Sequence, residues 1–252
     1  MRNPPPTPIA SVILIGDEIL SGRTQDKNLA HIASVLAEVG IAIGEARIIP
    51  DIKEVIISVV NDMRQRYDYV FTTGGIGPTH DDITAECMAT AFGVALEVHP
   101  LAQEMLQDHY DTLGTDFNEA RQRMARIPQG AALIDNPVSR APGFAIENVY
   151  VMAGIPRIMQ AMMEGVLPTL KGGEAICSCT ITALVPEGTI AAKMHEMQTA
   201  YAQLNIGLYP FYGAEGAGVS VVARGRDQAA LTKIETEILE YFEDIEASLT
   251  SK

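Results

Sequence analysis

The chain has 252 residues, of which 47% are hydrophobic and 20% charged, so it carries enough apolar material for a packed core. Its net charge of −14, from 18 Lys and Arg against 32 Asp and Glu, works against DNA or RNA as a partner, and no basic cluster with interleaved aromatics offsets it. No apolar run reaches the ~18 residues a membrane span needs, the start Met1-Arg2-Asn3-Pro4-Pro5-Pro6 lacks a signal-peptide core, and the odd set Cys87, Cys177 and Cys179 suits a reducing cytoplasm rather than a disulfide framework.

Ser11-Val12-Ile13-Leu14-Ile15, ended by Gly16, has the unbroken apolar character of a strand buried on both faces. The spacing of Leu29, Ile32, Ala33 and Leu36 predicts a helix from Asp26 to Val39, with Gly40 as its stop. A strand over 41–49 follows. Asp51, with Glu54 three residues on, resembles the capped start of a helix that runs to Arg66. A third strand over 67–73 leads into a glycine loop, and a helix is expected from Asp82 to Phe92. Residues 99–126 read as a helical pair broken at Leu113-Gly114, with Arg121, Arg123 and Arg126 on a solvated helix face. Short strands at 144–146 and 149–152 flank Glu147-Asn148, and Pro156 opens a helix that ends before Gly172-Gly173.

This alternation predicts a mostly parallel sheet with helices on both faces. The glycine pair marks the expected boundary between a first domain, 1–172, and a second, 173–252. In the second, the order is strand 175–185, helix 188–203, strand 205–212, strand 217–224 and helix 227–247. That order predicts a small α+β module of ferredoxin-like type.

The chemistry concentrates in Thr73-Gly74-Gly75-Ile76-Gly77-Pro78-Thr79-His80-Asp81-Asp82-Ile83-Thr84. Glycines between a strand and a helix let backbone N–H groups converge on an anion. The pattern is neither a P-loop nor a dinucleotide fingerprint. Asp81 and Asp82 have a plain alternative reading as acids at a helix start capped by Thr79. Beside a phosphate, however, they would repel it, and a divalent cation bridging carboxylate and phosphate removes that conflict. A second acidic element, Gly16-Asp17-Glu18, follows the first strand. With a sheet order of 2-1-3, it faces the glycine loop across the switch point, so that Asp17, Glu18, Asp81 and Asp82 cluster at one mouth. Asn28 either caps its helix or lines the site. His80 reads as a rim residue, Cys177 and Cys179 as small buried residues sharing one strand face, and Met159, Met162 and Met163 as core.

Gly16-Asp17-Glu18-Ile19-Leu20, Asn28 and the segment Thr73 to Thr84 together resemble the molybdopterin-binding (MoaB/Mog-like) domain. The branch most similar is the N-terminal part of competence/damage-inducible CinA proteins and of FAD synthase. Asn136-Pro137, Ala141-Pro142-Gly143-Phe144 and Ala153-Gly154-Ile155-Pro156 resemble later motifs of that branch. The resemblance implies a three-layer α/β/α sandwich that assembles as a homo-oligomer. It implies metal-dependent (Mg, Mn or Co) cleavage of the phosphoanhydride of FAD or ADP-ribose, or else molybdopterin binding or adenylylation; a non-enzymatic nucleotide-binding protein is the third reading. Under the first, Gly74, Gly75, Gly77 and Thr79 hold the diphosphate, and Asn28, Thr84, Gly154 and Pro156 complete the pocket. Asp81 and Asp82 bind the metal, and Asp17 or Glu18 acts as base. Val138-Ser139-Arg140 departs from the Gly-Thr pair that many CinA relatives carry there, and no amidohydrolase or flavin adenylyltransferase activity carries over.

Overall fold

The computed structural model describes residues 7–213 and 216–250, the last five of these for their backbone only. The chain divides into two compact units, residues 1–173 and 174–252. The first unit opens with β1 (Ile9–Ile15), the single turn α1 (Asp17–Leu20), α2 (Asn28–Glu38), β2 (Ala42–Ile49), α3 (Lys53–Arg66) and β3 (Tyr69–Thr73). It continues with α4 (Thr84–Phe92), β4 (Leu96–Val98), α5 (Pro100–Thr112), α6 (Glu119–Gln122), β5 (Arg126–Pro128), β6 (Ala132–Ile134), β7 (Gly143–Ile146), β8 (Val149–Met152) and α7 (Pro156–Val166).

Six strands form one sheet in the order β2-β1-β3-β8-β7-β6. β1 is parallel to β2 and β3, β3 is parallel to β8, and β7 and β6 add an antiparallel edge. Alternate residues of β1 serve two cores, because a strand's side chains point to opposite faces in turn. Ala10, Val12 and Leu14 pack with Ile32 and Leu36 of α2 and with Met159, Met162 and Met163 of α7. Ile13 and Ile15 pack with Ile56, Val60 and Met63 of α3 and with Cys87 and Met88 of α4. The result is the expected three-layer sandwich, and β1, with cores on both faces, shows no polar alternation.

Three local expectations need correction. Asp51 does not cap α3, which starts at Lys53 after Ile52 in an extended conformation; its carboxylate instead accepts the Asp17 N–H at 3.1 Å. The helix expected from Asp82 begins at Thr84, so Asp81 and Asp82 lie in the loop before it. The helical pair over 99–126 has only one long member, α5. Asn118 caps the single turn of α6, a 3₁₀ turn follows, and β5 and β6 come next. Strands of three residues are too short to show a period. Arg121, Arg123 and Arg126 therefore share no helix face: Arg121 stacks on Tyr110, 4.3 Å from the ring centre, and the other two lie in the 3₁₀ turn and at the start of β5.

In the second unit, β9 (Cys177–Ala183), α8 (Glu187–Ala200), β10 (Asn205–Gly213), β11 (Gly216–Gly225) and α9 (Gln228–Thr250) form a three-stranded antiparallel sheet in the order β10-β11-β9. β11 lies between β9 and β10, which is the split βαβ arrangement of ferredoxin-like modules. Its core joins Ile181, Val219 and Val221 of the sheet to Ile190 and Met194 of α8 and Ile234 and Ile238 of α9. Cys177 and Cys179 are half-buried against this core rather than fully buried. The first unit closes on itself: the Gly173 N–H donates to the Val39 carbonyl at 3.0 Å, and Gly172 passes so close to that oxygen that a side chain there would overlap it.

Gly74 fixes how β3 leaves the sheet. Its φ is +107°, its N–H donates to the Met152 carbonyl at 3.1 Å, and a Cβ would overlap the Ile15 carbonyl oxygen. Gly74→Ala is expected to lower stability by on the order of 2 kcal/mol or more, since both the left-handed backbone and the collision oppose it. Gly93→Ala, with φ +67° and open space around the added carbon, should cost only about 1 kcal/mol. Urea unfolding of the two variants gives the comparison, and a Gly74 variant as stable as the Gly93 one would contradict it.

Candidate functional site

β1 sits at the centre of the order β2-β1-β3, so the loops after β1, β2 and β3 meet at one end of the sheet. Together with the loop after β8 and residues 136–141 they enclose a pocket of about 580 Å³, a volume typical of small-molecule sites. Gly74, Gly75, Gly77, Glu18, Asp81, Asp82, Gly154 and Pro156 line it, as do Thr24, Asp51 and Ser139. One wall is apolar, built from Tyr110, Met124, Ala141, Ile155 and Ile158.

The glycine loop is shaped from below. The Thr84 hydroxyl donates to the Gly74 carbonyl at 3.0 Å, and its N–H donates to the Gly75 carbonyl at 3.0 Å. Thr84 is fully buried and braces the loop rather than facing a ligand. Asn28, 3% exposed, is a second brace: its Nδ2 donates to the Gly154 carbonyl at 2.8 Å and to Thr73 Oγ1 at 3.3 Å, tying α2 to the ends of β3 and β8. Thr79 does not line the pocket. Its N–H and hydroxyl both donate to Asp82 Oδ2, at 2.8 and 2.5 Å, which aims the Asp82 carboxylate over Gly77. Any Cβ on Gly77 would stand 2.6 Å from that oxygen.

These bonds decide which amides are available. The Gly74 N–H is spent on Met152 and the Thr79 N–H on Asp82, so neither is free for an anion as the sequence suggested. The N–H groups of Gly75, Ile76 and Gly77 find no acceptor among the described residues. Three consecutive unpaired amides beside a pocket form a concavity suited to an anion.

The carboxylates around them are Glu18, Asp51, Asp81 and Asp82. Asp17 is not among the lining residues; its backbone N–H holds Asp51 in place instead. Asp51 is the lining carboxylate that the sequence reading missed. Burial pushes its carboxyl above the ordinary range, the Asp17 N–H opposes that shift, and the charges of Asp17, Glu18 and Asp81 add to it. His80 is a rim residue, its side chain 96% exposed. Among the described residues no three His, Cys, Asp or Glu side chains come close enough together to hold a metal ion unaided.

The sequence of residues 11–172 matches the family described as "Probable molybdopterin binding domain". The chain belongs to this family. Residues 175–248 match the middle domain of FAD synthase. A Caldivirga maquilingensis protein is 36% identical over 205 residues, which cover 79% of this chain and 78% of that one. A CinA-like protein of Desulfosudis oleivorans is 32% identical over 211 residues, 79% of this chain but only 51% of the longer relative. The crystal structure of CinA from Thermoplasma acidophilum superposes with a TM-score of 0.60 at 32% identity, covering 65% of this chain and 98% of that one. No helix among the described residues is long and apolar enough to cross a membrane.

Because folding raises the Asp51 carboxyl, it favours the protonated form, and its effect on stability worsens as pH rises through the folded pKa. Asp51→Asn keeps an acceptor for the Asp17 N–H and removes the charge. The metal-free variant should melt a few degrees above the parent near pH 8, with the gain vanishing near pH 3, where the parent carboxyl is protonated too. Calorimetric scans across this range measure it, and a gain that does not change with pH would contradict the assignment.

Proposed function

We propose that this chain is a metal-dependent nucleotide pyrophosphatase that cleaves the phosphoanhydride of FAD or ADP-ribose-like substrates. The observation that carries this reading is the opposition of two groups in one pocket. The free amides of Gly75, Ile76 and Gly77 invite a phosphate, and the ring of Glu18, Asp51, Asp81 and Asp82 repels one. A divalent ion held by Asp81 and Asp82 together with substrate phosphates would reconcile them, neutralise charge at phosphorus and acidify a bound water. The donors are hard oxygens, which suit Mg²⁺, Mn²⁺ or Co²⁺. An ion bound through one or two carboxylates and the substrate needs no all-protein cage, so the missing third ligand fits this arrangement.

The chain's own groups divide the remaining work. The three amides fix the diphosphate, and Asp82, held by Thr79, is kept from swinging away. Asp51 Oδ1 lies 3.6 Å from where a Cβ on Gly75 would stand, and its raised carboxyl makes it a better base than an exposed aspartate. It takes the proton of the attacking water as the new P–O bond forms, and the bridging P–O bond breaks to leave AMP and a second phosphate monoester. The apolar wall of Tyr110, Met124 and Ile155 accommodates a ring system.

The family match over 11–172 favours a second reading, in which the same amides hold the phosphate of molybdopterin. One experiment separates the readings. Purified protein with Mg²⁺, Mn²⁺ or Co²⁺ is expected to release AMP from FAD or ADP-ribose. Asp82→Ala and Asp51→Asn should reduce the rate on the order of 10²-fold or more. No AMP with any of the three metals would overturn the pyrophosphatase reading, and tight binding without turnover, unchanged by Asp82→Ala, would make the chain a nucleotide-binding protein.

A further inference from the structure

Beside the glycine loop lies a second, smaller pocket of about 40 Å³. It shares Gly75, Ile76, Gly77, Asp82 and Met124 with the main one, so the two adjoin along the same loop. A water needs ~10–15 Å³, so this space admits about three waters, the size of one small oxyanion. Arg123 and Arg126 line it. They reach it because the 3₁₀ turn Arg123–Ala125 and the start of β5 bring residues three apart to the same side of the loop.

The charge pattern here is unusual for this molecule. The chain has 32 acidic side chains against 18 Lys and Arg, so a surface arginine should readily find a partner. Neither Arg123 nor Arg126 makes an ion pair or a side-chain hydrogen bond among the described residues, although the charge of both adds to Lys53 in lowering the Glu86 carboxyl beside them. Two carboxylates share the pocket with them. Glu86 is already bound to Lys53 at 2.5 Å, and Asp82 is engaged by Thr79. Two guanidinium groups without a hydrogen-bonded partner, their charge shared with the Glu86 that Lys53 already holds, therefore stand beside a loop with three unpaired amides. Guanidinium matches the oxygens of phosphate in shape and charge, and its affinity for them falls little on partial burial.

The geometry points to Arg123 and Arg126 as a cationic subsite that takes the second phosphate group of a diphosphate ligand whose first phosphate lies on the Gly75–Gly77 amides. The inference rests on the phosphate-binding part of the proposed function and does not depend on turnover. It assigns the preference for a diphosphate over a monophosphate to two side chains that, in the sequence, resemble an ordinary solvated cluster.

The test compares AMP with its diphosphate analogue α,β-methylene-ADP, which cannot be cleaved at the bridge. Both are titrated calorimetrically into the full chain with Mn²⁺ present. The parent is expected to bind the diphosphate more tightly than AMP. In Arg123→Gln/Arg126→Gln that preference should shrink about tenfold or more, with AMP affinity nearly unchanged. Arg123→Lys/Arg126→Lys should restore part of it, since charge remains while the fork geometry is lost. Equal thermal midpoints of parent and variants would show that the loop is still folded. If the parent shows no preference for the diphosphate, or the Gln variant keeps the parent's preference, the subsite is wrong while the pyrophosphatase reading stands. If the parent binds neither compound, both fall.

Discussion

The backbone crossing between Gly74 and Ile15 is the constraint on which the site depends. β1 and β3 are neighbours in the sheet, and their outgoing chains must separate within one residue to leave a crevice between them. Gly74 achieves this with a left-handed turn that packs its Cα against the Ile15 carbonyl and keeps its N–H on β8. Gly154, after β8, approaches from the other side, where a Cβ would stand 3.3 Å from the Gly74 Cα. Asn28 then fastens the Gly154 carbonyl to α2. The pocket floor is thus a stack of main-chain atoms with little freedom to shift, a preorganised backbone on which the free amides of Gly75–Gly77 are carried.

Above this floor the electrostatics are deliberately unbalanced. Amides and the two arginines present positive potential along the loop, while Glu18, Asp51 and Asp81 present negative potential at the mouth. The raised carboxyl of Asp51 shows that the acids already strain one another. Relief comes only when a cation and an anion arrive together. Under the proposed function, such a site would hold a metal-bound phosphate compound better than either the metal or the free anion alone.

Much of this was legible in the sequence, and the exceptions have physical reasons. The buried strand 11–15 and the glycine loop announce themselves because an unbroken apolar run and a Gly-Gly-x-Gly turn each permit few structures. Asp51 was hidden because an acid followed three residues later by Glu54 is also how a capped helix begins. Only the tertiary position of Asp17 turns its carboxylate toward the pocket. Asn28 and Thr84 were recognised as part of the site, but their bonds to the backbone beneath the loop depend on burial and cannot be read from residue type. The arginines at 123 and 126 sit three apart, as on a helix, and it took the break into a 3₁₀ turn and a strand to place them on the loop.

The junction at Gly172-Gly173 has a wider consequence. The last hydrogen bond of the first unit is made to Val39, inside that unit, and the close passage of Gly172 leaves no side chain there to reach outward. The sandwich is therefore sealed before the second unit begins, and each unit has a hydrophobic core of its own. A fold finished in this way can be joined to different followers without repacking its interior.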